Sequence, residues 1–254
     1  MNPLAFSFSI INAICGRLFN FHVRHHRLGN APVLDDALRR LQAHNIEIGS
    51  LIDVGASDGF WSKAFAYHFP GRRHLLIDAN EIHRPKLIEI CQRHTNWRFE
   101  IVAVGETEGM AYFDPSDPLL GHLSEYRLND RYQPCRVTSI DRLVADHSLP
   151  PPFLLKLDTH GVEIPILSGA KETLKQTNLL VIEAYNFTFG KPAVPFWDLC
   201  QYMLELGFRP LDAFDLLYRE VDHAFWQVDF LFARSDFPLF QERRFFNAER
   251  KSIL

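Results

Sequence analysis

Ser50-Leu51-Ile52-Asp53-Val54-Gly55-Ala56-Ser57-Asp58-Gly59-Phe60-Trp61 reads as a short apolar strand, a tight turn held between two glycines, and the first residues of a helix. A strand that ends in such a turn and feeds a helix is expected to present free backbone N–H groups and a positive dipole end. Glycine has no Cβ, so a ligand can approach the backbone closely there. Asp53 sits on the last part of the strand, where it could receive an amino group or a hydroxyl. The spacing from Gly55 to Gly59 is GxxxG and not the GxGxxG of a dinucleotide site.

Outward from this turn the chain alternates between helical and strand patterns. Val33 to His44 has apolar residues at helical spacing. Gly59 to Phe69 is the next helix, closed by Pro70-Gly71. His74 to Ile77 is a continuous apolar run, as expected for a strand covered on both faces. Ile82 to His94 is helical, Trp97 to Val104 a third strand and Met110 to Phe113 a fourth. Asp114 to Pro134, with three prolines and little periodicity, is expected to be a loop or lid. Arg136 to Thr138 follows as a strand edge and Ser139 to Asp146 as a short helix. Phe153 to Leu157 is a buried strand, Glu163 to Lys175 a helix, Asn178 to Glu183 a strand and Pro195 to Leu206 a helix. Phe208–Ala213 and Gln227–Ala233 fit two final antiparallel strands. The pattern predicts an α/β fold, with about seven strands in a mostly parallel sheet and helices on both faces. Three segments are expected: an N-terminal helical extension over 1–48, the main domain over 49–235 and a tail over 236–254.

Composition narrows the function. The chain has 254 residues and a formal charge of −4, which gives no argument for a nucleic-acid partner. Its four cysteines form no CxxC pair, so a zinc ribbon or disulfide framework is not expected and the reading is a reducing, cytoplasmic setting. The Phe-rich stretch from Leu4 to Phe21 is interrupted by polar residues and is too short to span a membrane. The preferred reading is a helix packed on the core or on a second copy of the chain. Contact with a membrane surface is the sharper alternative, because basic residues follow the stretch.

Ligands of open α/β sheets bind beyond the carboxyl ends of the strands, so polar residues there are the candidates. Asp78 ends the second strand, 25 residues after Asp53, near the spacing of a nucleoside-binding unit, and a carboxylate there can accept both hydroxyls of a ribose. Ala79 follows it. Ala103 and Val104, before Gly105, would let an adenine ring lie against the backbone. Leu157-Asp158-Thr159-His160-Gly161 ends a further strand, with Glu163 two residues on, and Glu183 ends another. Asp58 would repel a pyrophosphate, whereas a sulfonium cofactor carries no phosphate. The turn therefore favours S-adenosylmethionine over a nicotinamide dinucleotide.

The segments LIDVGASDGFWS, LLIDAN, FEIVAVGETEGMAYF, VTSIDRL, LLKLDTHGVEIPILSGAKETL and LLVIEAYNF resemble, in order and spacing, the FkbM family of S-adenosylmethionine-dependent methyltransferases. The likeness runs from about Ser50 to Arg234, and KLDTHGVEIPILSGA is its most specific part. The resemblance implies a Rossmann-like class I methyltransferase fold and O-methylation, commonly of sugars or secondary metabolites. By the same likeness Asp53, Gly55, Ala56 and Gly59 line the cofactor, with Ser57 beside them, and Asp78 holds the ribose. Lys156, Asp158, Gly161 and Glu163 fall on the second signature. Two positions depart from the family pattern: Ser57 stands where Asn is common, and Asp78-Ala79 stands where Glu-Pro is common.

A hydroxyl acceptor must lose its proton during methyl transfer, and His160 is the first candidate base because its unperturbed pKa is near neutrality. Asp158, Glu163 and Glu183 are the alternatives, and Asp158 is also expected near the cofactor. Bland readings stand beside these: Glu163 favouring the start of its helix, Lys156 pairing with Asp158 or a neighbouring carboxylate, and His160 exposed on a loop. Asp158, His160 and Glu183 offer ligands suited to Mg²⁺ or Mn²⁺, but nothing in their spacing compels a metal and none is expected. The expected acceptor is a small molecule or carbohydrate, flanked by 114–134 and by the aromatic segment Tyr185 to Trp197. A nicotinamide-dependent oxidoreductase and a non-catalytic scaffold are the competing readings.

Overall fold

The computed structural model describes residues 32–116, 121–187 and 193–244. The segment Leu4 to Phe21 lies outside the described residues. The residues from Val33 onward form one compact unit.

Its centre is a seven-stranded sheet of β1 (Ser50–Val54), β2 (Arg73–Asp78), β3 (Trp97–Ile101), β8 (Phe153–Leu157), β9 (Thr177–Tyr185), β10 (Phe208–Tyr218) and β11 (Phe225–Arg234). The spatial order is β10-β11-β9-β8-β1-β2-β3. The five strands from β3 to β9 are parallel, while β11 runs antiparallel to both β9 and β10. The sheet is mostly parallel, as expected, and the order reverses direction between β1 and β8, the place where ligands of such sheets bind beyond the strand ends.

Helices cover both faces. On one side α1 (Leu34–Ala43) and α2 (Phe60–His68) bury Leu38, Leu41, Trp61 and Phe65 against Leu51, Leu154 and Val181. On the same side α3 (Arg84–Arg93) sets Leu87 and Ile90 against Leu76 and Trp97. The opposite face carries α4 (Ile140–His147), α5 (Glu163–Ser168), α6 (Lys171–Leu174) and α7 (Phe196–Glu205). Their Leu143, Ile166, Leu174 and Met203 pack on Ile52, Leu155 and Ile182. Alternate residues of β1 and β8 thus feed opposite layers, which is why these strands read as continuous apolar runs. Each fully buried leucine or isoleucine contributes about 1.5–3 kcal/mol of apolar burial. Helix α1 belongs to this packed unit although it falls within the 1–48 segment.

The region between β3 and α4 departs from expectation. The predicted strand over 97–104 breaks at Val102, whose N–H turns to the Asp78 carbonyl at 2.8 Å. Ala103–Val104 (β4) then joins a second sheet with β5 (Gly109–Asp114), β6 (His122–Ser124) and β7 (Gln133–Thr138), ordered β4-β7-β5-β6. The expected loop over Asp114 to Pro134 therefore contains β6 as well as strand residues at both ends, and β7 is an inner strand instead of an edge. Pro134 lies opposite Tyr112 near the start of β7, before the Val137–Thr138 stretch that pairs with β4, so that side of the strand is an open edge where no N–H is needed. These strands are short, partly exposed and rich in polar residues, so they lack the buried-strand signature.

Two further boundaries move. The helix expected over Glu163 to Lys175 splits into α5 and α6, because the Asp141 carboxylate of α4 accepts the N–H groups of Glu172 and Thr173 at 3.0 and 2.7 Å and caps a new helix start. Strand β9 runs two residues past Glu183, so Glu183 lies inside a strand and Tyr185 ends it.

Candidate functional site

The β1–α2 turn closes on itself. Gly55 and Ala56 both donate to the Ile77 carbonyl, at 2.9 and 3.0 Å, and Gly59 donates to Ala56 O at 2.8 Å. Ser57 N–H donates to Asp78 Oδ2 at 2.7 Å, and Phe60 N–H to Asp58 Oδ1 at 3.0 Å. The expectation of free N–H groups is therefore corrected: these amides already have acceptors. A turn that offers few donors has little to hold a phosphate and suits a ligand whose charge is positive. Gly55 is required here, since its φ is +75° and a Cβ would stand 2.0 Å from the Asp158 carbonyl oxygen. The turn consequently lies directly against the loop after β8. Gly55 and Ser57 are half-buried, whereas Ala56 and Gly59 are buried.

Asp53 is corrected too. It is fully buried, so it underlies the turn and does not line it. Its Oδ2 accepts from Ser62 Oγ at 2.6 Å, and its Oδ1 lies 3.0 Å from Lys156 Nζ, an ion pair off the hydrogen-bonding axis. The β1–β8 register places Asp53 opposite Lys156, so the amino group that Asp53 receives comes from within the chain. Lys156 is itself 4% exposed and also reaches the Gly55 carbonyl at 2.9 Å and Asp158 Oδ2 at 3.3 Å. Burial works against its ammonium, but Asp53 and Asp158 outweigh that and raise its pKa. A single cation thus ties the turn after β1 to the loop after β8.

At the end of β2 the Asp78 carboxylate accepts Ser57 N–H on one oxygen and Asn80 N–H on the other, at 2.7 and 2.8 Å. Burial raises its pKa, while those two N–H groups oppose the shift. Each oxygen keeps a lone pair for a hydroxyl. Beside it Asn80 is buried, and its Nδ2 has no hydrogen-bond partner. A buried donor without an acceptor next to a carboxylate with spare lone pairs fits the hydroxyls and ring atoms of an adenosine. Ala79 is half-buried next to them, and Ala103 and Val104 are nearly covered, 4% and 5% exposed.

A second group of side chains gathers at the ends of β8 and β9. His160 has a left-handed backbone, φ 53°, and Gly161 beside it lets the loop approach Ala193, where a Cβ would meet another at 2.6 Å. His160 Nδ1 lies 2.6 Å from Tyr185 Oη and 3.0 Å from Glu183 Oε2. Tyr185 donates to Glu183 Oε2, and Gln227 Nε2 donates to Glu183 Oε1. In the β9–β11 register Asp229 faces Glu183 directly.

Burial raises the pKa of Glu183, and the Asp158 charge adds to this against the pull of His160. Burial also pushes Asp158 upward, but Lys156 and His160 hold it below the usual carboxylate range. Asp229 is pushed well above that range by burial and by the charges of Glu183 and Asp158. Tyr185 is raised as well, first by burial and then by Glu183. Burial and mutual repulsion thus favour a proton on Glu183 or Asp229 over three ionised carboxylates. Ligand-type atoms of Asp158, His160 and Glu183 lie within 4.8 Å of one another. The hydrogen bonds and the Lys156 ion pair already balance much of their charge.

Glu163 stands apart from this group. Its Oε1 accepts Gly161 N–H at 2.8 Å and Thr159 Oγ1 at 3.1 Å, so the side chain braces the loop that carries His160. Gln227 and Asp229 were not among the sequence candidates, and Tyr185 was expected only as part of the aromatic segment flanking the acceptor. The alternation of β11 places Gln227 and Asp229 on one face, but only the pairing with β9 reveals which face that is.

The methyltransferase FkbM domain matches residues 53–210 of the chain. No curated protein matches it. Among solved structures it is similar to TrmK of M. capricolum in complex with S-adenosylhomocysteine, at 8% identity and TM-score 0.45, covering 77% of this chain and 67% of that one. It is also similar to the 1,6-didemethyltoxoflavin-N1-methyltransferase of Burkholderia thailandensis, at 14% identity and TM-score 0.45, covering 93% and 92%. A third is the precorrin-6y C5,15-methyltransferase of Geobacter metallireducens, at 11% identity and TM-score 0.42, covering 79% and 87%. The cofactor of this fold is S-adenosylmethionine, and the match over more than half of the residues, together with the sheet and turn described above, means that the chain belongs to the FkbM family of methyltransferases.

Proposed function

We propose that the protein transfers a methyl group to a hydroxyl of a small or carbohydrate acceptor, with the His160–Glu183 pair taking the hydroxyl proton. The observation that carries this reading is the contact of His160 Nδ1 with Glu183 Oε2 at 3.0 Å, on a loop that Lys156 ties to the cofactor turn. When bound, S-adenosylmethionine supplies a methyl group activated by its sulfonium. Asp78 and Asn80 would hold its ribose and Gly55, Ala56, Ser57 and Gly59 would lie along it, with Ala79, Ala103 and Val104 near the base. Asp158, kept ionised by Lys156, would sit on the reacting side. The acceptor must be held close and collinear with the methyl, and the proton acceptor contributes roughly 10²–10⁴-fold.

The ionised Asp158, in a cluster that carries two further acidic groups, would repel a phosphodiester, which favours a neutral acceptor over nucleic acid. Aromatic rings near the cluster, Tyr185 with Trp226 at 5.9 Å and Phe196 with Phe225 at 5.7 Å, suit a sugar or apolar ring. The free thiols of Cys91, Cys135 and Cys200 suit a reducing, cytoplasmic setting. Among the described residues no helix is long and apolar enough to cross a membrane. The test is a mass-spectrometric screen of sugars, hydroxylated metabolites, amines and RNA with S-adenosylmethionine, run with and without chelator. A gain of 14 Da, roughly one methylene, on a hydroxyl compound in both conditions is expected. Methylation confined to amines or RNA, or abolished by chelator, would overturn the reading.

A further inference from the structure

Strand β11 runs antiparallel beside β9, and all of it lies beyond the matched segment 53–210. It nevertheless sends an amide into the reacting cluster. Gln227 is paired with Tyr185 in the register, and its Nε2 donates to Glu183 Oε1. The other oxygen, Oε2, takes the hydroxyl of Tyr185 and faces His160 Nδ1 at 3.0 Å. Glu183 is therefore held by one donor on each oxygen, and the donor from β11 fixes which oxygen is left toward His160. We propose that Gln227 is a positioning residue, orienting the Glu183 carboxylate so that the His160–Glu183 pair can accept the proton of the methyl acceptor.

The inference rests on the hydroxyl-methylating reading above. Gln227 would not touch the acceptor; it acts through Glu183. An N–H donated to a carboxylate favours its charged form, so loss of this donor should let the pair hold its proton more tightly. The other groups facing the pair are Asp158 and Lys156 from β8 and its loop, Tyr185 from β9 and Asp229 from β11. None of these side chains is itself removed by a substitution at 227.

The experiment compares the full chain with Gln227→Met, which keeps the length but loses the amide, and Gln227→Glu, which replaces the donor with a like charge. Turnover is measured on the hydroxyl acceptor identified by the screen, and the His160 ring is followed by NMR across pH with S-adenosylhomocysteine bound. For Gln227→Met we expect kcat to fall about tenfold, part of the ~10²–10⁴-fold of a general base, with KM and cofactor Kd within about twofold. The acidic limb of the kcat profile and the His160 ring titration should both move to higher pH, by about half a unit. Gln227→Glu should shift both further in the same direction. An unchanged kcat and ring titration in a variant that still binds S-adenosylhomocysteine would overturn the proposal, as would a change in KM alone. If His160→Ala retains full turnover, the base assignment fails instead, and the ring titration of the wild type and Gln227 variants still decides whether Gln227 orients Glu183.

Discussion

The two halves of the site are built in different ways. The cofactor half, from Gly55 to Gly59 and on to Asp78, is made mainly of backbone. Its amides close on Ile77 O, Ala56 O and Asp78, and its partners come from two adjacent strands. The reacting half, around His160 and Glu183, is made of side chains from β8, β9 and β11, strands up to 70 residues apart in sequence. Lys156 ties them by charge, beside the close backbone approach of Gly55 to Asp158. The difference separates what each half can tolerate. A backbone turn responds to changes in φ and space, whereas a side-chain cluster responds to single functional groups and to pH.

Breaking the link should have the largest effect. Lys156→Met leaves Asp53 buried without its cation, and we expect a loss of about 3–5 kcal/mol in stability by denaturant unfolding. A variant of wild-type stability would mean that the two halves are not tied through this ammonium. Next, His160→Ala should lower kcat by about 10²–10³-fold, roughly 3–4 kcal/mol, with the affinity for S-adenosylhomocysteine unchanged by calorimetry. If affinity falls as far as turnover, the halves are not functionally separate.

Asp78→Ala tests the opposite half. Removing an acceptor that the ribose hydroxyls need, and stranding Ser57 and Asn80 N–H, should weaken cofactor binding by about 1.5–3 kcal/mol. The acceptor KM should be unaffected once the cofactor is saturating, and a shift there would blur the division.

The effect that is smallest near neutral pH separates two sources of acid sensitivity. His74 of β2 is buried and stacked on Trp97 at 4.0 Å, and burial, with His94 adding to it, lowers its pKa to about 3. An imidazole that stays neutral in the fold but protonates when unfolded leaves stability intact above about pH 6.5. Stability then falls as the pH drops from there toward 3, by about 1.4 kcal/mol per unit. His74→Phe should flatten that slope in urea titrations while leaving the acidic limb of kcat in place. If both move together, the limb reports unfolding and not the His160–Glu183 pair.

The strands of the main sheet were legible because burial on both faces makes each a continuous apolar run, as in Phe153 to Leu157. The four-stranded sheet was not, since residues such as Gln133 and Arg136 face solvent and Pro134 interrupts the pattern. At the site, Asp78 and His160 were visible from their places at strand ends. Asp53 was visible but misjudged, because sequence shows that a carboxylate ends a strand and not which neighbour covers it. Glu163 was found by its motif, yet its carboxylate folds back on Thr159 and Gly161.

By itself the sequence determined the alternation of strands and helices, the glycine turn after β1 and the positions of Asp78 and His160 at strand ends. These are local properties, set by periodicity, by the steric freedom of glycine and by spacing along one chain. Only the tertiary structure decided that Lys156 neutralises Asp53, that Asp141 starts α6 and that Gln227 of β11 holds Glu183. Each of these depends on strand register or helix packing, which bring together groups that no pattern along the chain connects.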